Sequence, residues 1–134
     1  MAIFSHGNRT IQYQTQFAPF AHDLLLLQSS KFNPDIWRPV LEGLRDDQTS
    51  SGRVVTCEWH KAKLDTDTMA EDLNDFLQTL GLHSLRVVAC DDAVEVVAEL
   101  ERRYPGSVDK TLLFPHNVPQ QGELLRAVRE FSGI

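Results

Sequence analysis

Positive charge is scarce in this 134-residue chain: 13 Lys and Arg stand against 19 Asp and Glu, for a formal net charge of −6. The basic residues are scattered, with no group larger than the pairs Lys61/Lys63 and Arg102/Arg103. The basic footprint that a nucleic-acid partner demands is therefore missing. Long hydrophobic runs are missing as well. The longest, Leu24 to Leu27, falls far short of the roughly 20 apolar residues that cross a bilayer, so no membrane partner is expected. The first 25 residues show no basic start leading into an apolar run, the pattern of a secretory leader, and a cytoplasmic protein is expected. Cysteine is limited to Cys57 and Cys90, near the ends of two expected strands. In a reducing compartment these are expected as buried free thiols. No CxxC pair and no Cys/His spacing offers a zinc site, and neither metal nor cofactor is expected. Without repeats, linkers or low-complexity segments, residues 1–134 read as one domain.

What is present is an alternation of short apolar strands and amphipathic helices. Residues 2–5 and 10–17 form two extended runs around His6-Gly7-Asn8, a turn cluster, and so predict a hairpin. Ile11, Tyr13 and Thr15 alternate with Gln12, Gln14 and Gln16, the period of a strand with one wet face, as at a sheet edge. Residues 22–28, with Leu24 to Leu27, read as a central parallel strand covered on both faces. Pro34 then opens a helix with Asn33 as its cap and Ile36, Trp37, Val40, Leu41 and Leu44 as its apolar stripe. A strand at 53–59 follows the polar loop 46–52. The next helix carries Met69, Leu73, Phe76, Leu77 and Leu80 and stops at Gly81. KTLLF (110–114) is a further buried strand, and residues 120–131 form a last amphipathic helix. The order β-β-β-α-β-α-β-α-β-α implies an α/β protein with a mostly parallel six-stranded sheet and helices on both faces.

The organising stretch is LRVVACDDAVEVVAELERRYP at 85–105: a buried strand, a sharp turn at Cys90-Asp91-Asp92, and at once a helix. It resembles the nucleophile-elbow segment of the α/β-hydrolase family, strand, G-x-S-x-G, helix, down to the closing Arg102-Arg103-Tyr104-Pro105. The likeness extends over about residues 3–115, through HDLLLLQS, PDIWRPVLEGL, RVVTCEW and TMAEDLNDFLQTLGL. It implies the N-terminal part of the α/β-hydrolase fold.

The scaffold matches and the chemistry does not. The family's elbow glycines fall on Ala89 and Ala93, and its nucleophilic serine falls on Asp91. Where the family's third strand ends in His-Gly and feeds the oxyanion hole, this chain has Gln28-Ser29. Its glycine-rich turn after the fourth strand is replaced by residues 58–63, Glu-Trp-His-Lys-Ala-Lys. The family's triad histidine follows an eighth strand, which has no counterpart here, so the resemblance implies a truncated, catalytically degenerate member.

Several sharper readings compete with plainer ones. Some α/β hydrolases, the haloalkane dehalogenases and epoxide hydrolases, attack carbon with an elbow aspartate, which makes Asp91 a candidate nucleophile. Without an activated water its ester would persist, and the plainer role of Asp91 or Asp92 is to cap the helix that follows. The pair also resembles the acidic start of a receiver domain, but Phe114-Pro115-His116 supplies no partner aspartate. His60 and His116 could share a metal or acid-base site; surface histidines are commoner. His6, His22 and His83 read as solvated. Cys90, beside a helix start, could be an activated thiol, against the commoner inert one. The candidate binding set is Gln28, Ser29, Cys90, Asp91, Asp92 and His116.

The family's strand order, 1-2-4-3-5-6-7-8, leaves the sixth strand as an exposed edge when the last two strands are missing. An apolar edge pairs readily with another chain, and Val87, Ala89, Leu112 or Phe114 would be under-covered. The expectation is a homodimer through that edge, acting as a binding or regulatory pseudoenzyme with a protein or small-molecule partner. The competing expectation is a hydrolase that uses Asp91 or completes its site across the dimer.

Overall fold

In the computed structural model, residues 2–6, 9–18, 22–28, 37–44, 52–59, 66–82, 85–90, 93–114 and 121–132 are described. Strand β1 (Ala2–His6) pairs antiparallel with β2 (Arg9–Ala18), and β2 pairs antiparallel with β4 (Gly52–Trp59). Strand β3 (Leu24–Gln28) lies parallel between β4 and β5 (Arg86–Cys90), and β6 (Lys110–Phe114) adds to β5 in parallel. The strand order is β1-β2-β4-β3-β5-β6, the first six places of the order that the resemblance implies.

The sheet is mixed, which corrects the expectation of a mostly parallel one. Three of its pairings are parallel and two are antiparallel. The longest pairing is antiparallel: β2 runs beside β4 from Ile11↔Trp59 to Ala18↔Gly52. A hairpin returns its second strand against its first, and β2 continues onto β4 in the same sense. Strand β2 is consequently interior, and β1 holds the edge. The glutamine face of β2 arises otherwise: Gln14 is exposed, whereas Gln16 Nε2 donates to the carbonyl of Leu41 at 2.7 Å.

The period of two along β3 divides the core. Leu25 and Leu27 join a cluster with Leu73 and Phe76 of helix α2 (Thr66–Leu80) and Val97 and Leu100 of α3 (Ala93–Arg103). Leu24 and Leu26 join another with Val40 and Leu44 of α1 (Arg38–Leu44) and Leu124 and Val128 of α4 (Gln121–Ser132). All four leucines are fully buried, each stabilising the fold by about 1.5–3 kcal/mol. Phe76 also takes the rings of Phe4 and Tyr13 edge-on, with centroids 5.5 and 5.1 Å away. Helix α4 is fastened at its end, where the Arg86 guanidinium donates to the carbonyl of Phe131 at 2.6 Å and lies 5.9 Å from its ring centroid. Trp37 is buried core. The turns at 7–8, 45–51 and 60–65 and the start of the first helix at 31–36 lie outside the described residues.

Candidate functional site

The carboxyl ends of three strands line up in one register row, with Gln28 beside Cys90 and Cys90 beside Phe114. That row is where sequence reasoning places the site. Strand β5 ends at Cys90 and α3 begins at Ala93, so two residues make the turn. Ala89 and Ala93, at the positions of the family's elbow glycines, are fully buried. In a close-packed interior, a larger side chain at either would push α3 off the sheet. Ser29, Asp91, Asp92 and His116 lie outside the described residues, as do His60 and His83; of Gln28 only the backbone is described.

Cys90 is buried in the cluster that holds Leu24 and Leu26. Cys57 belongs to the opposite cluster, where burial pushes its thiol pKa up. The two sulfurs thus face away from each other across the sheet, and neither is in a disulfide. Among the described residues, no group of three or more His, Cys, Asp or Glu side chains could hold a metal. Among them, too, no helix is long and apolar enough to cross a membrane.

The amino ends of the strands carry polar structure that the sequence did not disclose. Asp23, 1% exposed, accepts from the backbone N–H of Arg53 at 3.1 Å and from its guanidinium at 3.4 Å. The same guanidinium donates to the carbonyls of Leu80 and Gly81, each at 3.2 Å, and so caps the end of α2. His22, expected to be solvated, is buried, with Nδ1 3.1 Å from the carbonyl of Asp23. It is drawn in because the chain must dive from His22 directly into β3.

Beside this end lies a cleft of about 540 Å³ between α2 and the loop joining α3 to β6. Two turns shape it. The first closes α2: Gly81, at φ +66°, donates to the carbonyl of Gln78 at 3.1 Å, and Leu82 donates to that of Leu77 at 3.3 Å. That is the Schellman pattern, and it needs a residue that tolerates positive φ. The second is Tyr104-Pro105-Gly106-Ser107, with Gly106 at φ +87° and the Ser107 N–H donating to the carbonyl of Tyr104 at 3.1 Å. Proline followed by a positive-φ glycine is the signature of a type II turn. Leu77, Leu85 and Val108 give the cleft apolar walls; Asn74, Gln78, Ser107 and Asp109 give it polar ones. The Ser107 hydroxyl is buried without a hydrogen-bond partner among the described residues. The Pro-Gly pair at 105–106 and Asn74 on the inner side of α2 were the available sequence signals for this cleft.

No family model and no curated protein matches the sequence. Solved structures do. The chain aligns over 97% of its length with AqDC, solved for its recognition and ring-cleavage of the Pseudomonas quinolone signal, at 16% identity and a TM-score of 0.68, covering 56% of that chain. An α/β-hydrolase enzyme from a Medee basin deep-sea metagenome matches 84% of this chain and 43% of its own at 15% identity, with a TM-score of 0.65. The epoxide hydrolase CorEH matches 84% and 40% at 19% identity, with a TM-score of 0.68. The chain therefore has the α/β-hydrolase fold, and it spans about half the length of the structures it matches.

Proposed function

We propose that this protein is a catalytically degenerate relative of the α/β hydrolases, built on the N-terminal part of that fold with helices on both faces of its sheet. In this reading it works in the cytoplasm by binding a partner, and it pairs with a second copy of itself through β6. The observation that carries the reading is the free flank of β6. This strand neighbours only β5 among the described strands, and its Leu113 is 39% exposed. Leu112 and Phe114 are half-buried against the cluster that includes α4, so that helix covers one face of the strand. Val87 and Ala89, expected to be under-covered, are fully buried. Among the described residues, the strand's outer hydrogen-bonding edge stays open, with Lys110 and Leu113 exposed. Antiparallel pairing of two β6 strands about a two-fold axis satisfies that edge and covers Leu113 on each copy. Loss of catalysis is supported by Gln28-Ser29 at the oxyanion strand end and by Asp91 at the nucleophile position.

The second reading is a hydrolase with Asp91 as its elbow nucleophile, or with a site completed by the other copy. Its support is the end of β5 at Cys90 only two residues before the start of α3 at Ala93, with Ala89 and Ala93 buried, together with the likeness in fold to an epoxide hydrolase. Gln28, Ser29, Asp92 and His116 would then surround the reacting carbon. Light scattering, run beside ester and epoxide hydrolysis assays, separates the two readings. The expected result is a dimer without turnover that Leu113→Lys converts to a monomer. A monomer at every concentration removes the pairing, and turnover abolished by Asp91→Asn makes the protein an enzyme.

A further inference from the structure

The cleft at the amino ends of β5 and β6 lies at the opposite strand ends from Cys90 and Phe114, and it has the features of a ligand site. Its volume, about 540 Å³, lies in the range of small-molecule pockets, roughly 300–1,000 Å³. Such pockets combine apolar walls with a few convergent polar groups, and both are present. Leu77 and Leu85 are core residues, 5% and 3% exposed, so the apolar wall is continuous with the packed interior and does not collapse onto the opening. Asn74 and Gln78 lie one helical turn apart on α2 and both line the cleft. On the other side, the Pro105-Gly106 turn holds the Ser107 hydroxyl, buried and without a partner among the described residues. Buried polar groups are nearly always satisfied, so an orphan hydroxyl in a cleft wall calls for a partner supplied from outside.

Charge selects the class of ligand. Among the described residues, the only ionisable side chain lining the cleft is Asp109, and no Lys or Arg lines it. A carboxylate or phosphate ligand would find no counter-charge, would meet Asp109, and would approach a chain of net charge −6. We propose that this cleft binds a small organic cation: an amine carried on an apolar ring or short chain. The apolar body lies against Leu77 and Leu85, and the ammonium donates to the Asp109 carboxylate. Of its two remaining N–H groups, one donates to the Ser107 hydroxyl and the other to the Asn74 or Gln78 carboxamide oxygen. Asp109 is available for this because its backbone N–H is already used in a 2.7 Å bond to the carbonyl of Leu85, which fixes the residue beside the opening while its side chain stays exposed.

The test is an NMR titration of the ¹⁵N-labelled chain with three probes of one shape: phenethylamine, 2-phenylethanol and 3-phenylpropionate. The expected result is saturable shifts from the amine at the Asn74 and Gln78 side-chain amides and at the Ser107 and Val108 backbone amides. Affinity for the amine should exceed that for the alcohol by about tenfold, the size of a hydrogen bond to a charged acceptor. The acid should give no saturable shift. Asp109→Asn should bring the amine down to the alcohol's affinity. Gln78→Lys, at an exposed helix position, should abolish amine binding and admit 3-phenylpropionate, so the idea stays testable if the first variant folds poorly. Tighter binding of the acid to the unaltered chain overturns the proposal. So does an amine affinity unchanged in both variants, or the absence of a saturable shift from every probe.

Discussion

At Asp23 the carboxylate accepts two hydrogen bonds from Arg53, one of them from a backbone N–H that begins β4. Removing it leaves that N–H without its acceptor beside a fully buried strand and leaves the guanidinium with only the carbonyls of Leu80 and Gly81. Because the Arg53 side chain is 31% exposed, water recovers part of the loss. Asp23→Ala should destabilise the protein by about 2–3 kcal/mol, read as a lower urea midpoint at unchanged slope. Asp23→Asn, which can still accept from the Arg53 N–H, should cost less. Glu99 gives a prediction of a different kind. A hydrogen bond from Arg102 holds its carboxyl below the usual carboxylate range, partly opposed by burial and reinforced by the positive charge of Arg102. Its pKa is lower folded than unfolded, so the stabilisation is complete above the unfolded value, about 4.3. It is lost as pH falls through the folded value. Glu99→Gln should therefore flatten the fall of stability between about pH 5 and 3, as followed by urea titration at each pH. The cysteines supply a third test. With both thiols buried and that of Cys57 pushed further from ionisation, a soluble disulfide reagent at pH 8 should react with neither until the protein unfolds. Prompt labelling of either would show that the core opens around it.

Two element ends depend on left-handed backbone, and both border the cleft. Gly81 and Gly106 sit at φ +66° and +87°, and an added Cβ meets nothing within 4 Å at either position. Any cost of Gly81→Ala or Gly106→Ala is then purely conformational, about 1–2 kcal/mol each. The two should add, because they terminate different elements. Urea denaturation of the single and double variants checks this; a neutral Gly81→Ala would mean that α2 ends in some other way. Among the helices, α2 carries the heaviest packing through Phe76. It is fully buried and meets the aromatic edges of β1 and β2, so Phe76→Ala should cost about 3–5 kcal/mol and loosen the hairpin first. Faster hydrogen exchange at Phe4 and Tyr13 than at Leu25 in that variant is the signature to look for.

For the molecule as a whole, the proposed pairing through β6 would make stability depend on concentration. The thermal midpoint should rise as the chain is concentrated, and Leu113→Lys should remove that dependence. The scale at which a feature is decided also explains how readable it was. Helix and strand positions follow from spacing within a few residues. The leucines of β3, the stripe of α2 and the stop at Gly81 were therefore legible, as was the strand–turn–helix at Cys90-Asp91-Asp92-Ala93. The side-chain burial of His22 and Asp23 was not, because it depends on Arg53 and Leu80 arriving from far along the chain. The mixed character of the sheet was hidden for the same reason. The run of β2 is local, whereas its antiparallel register with β4 joins residues some forty apart. The opposite orientations of Cys57 and Cys90 likewise depend on which residue of each strand falls in which register row.

By itself the sequence determined the alternation of elements and the excess of acidic residues, since each is written in residue type and short-range period. Only the tertiary structure decided that β2 is interior, that the thiols face opposite ways, and that a cleft opens at the amino ends of β5 and β6. That cleft exists because the end of α2 and the turn after α3, some twenty-five residues apart in the chain, are brought side by side when both helices pack on the same face of the sheet. No local pattern in either segment encodes the distance to the other.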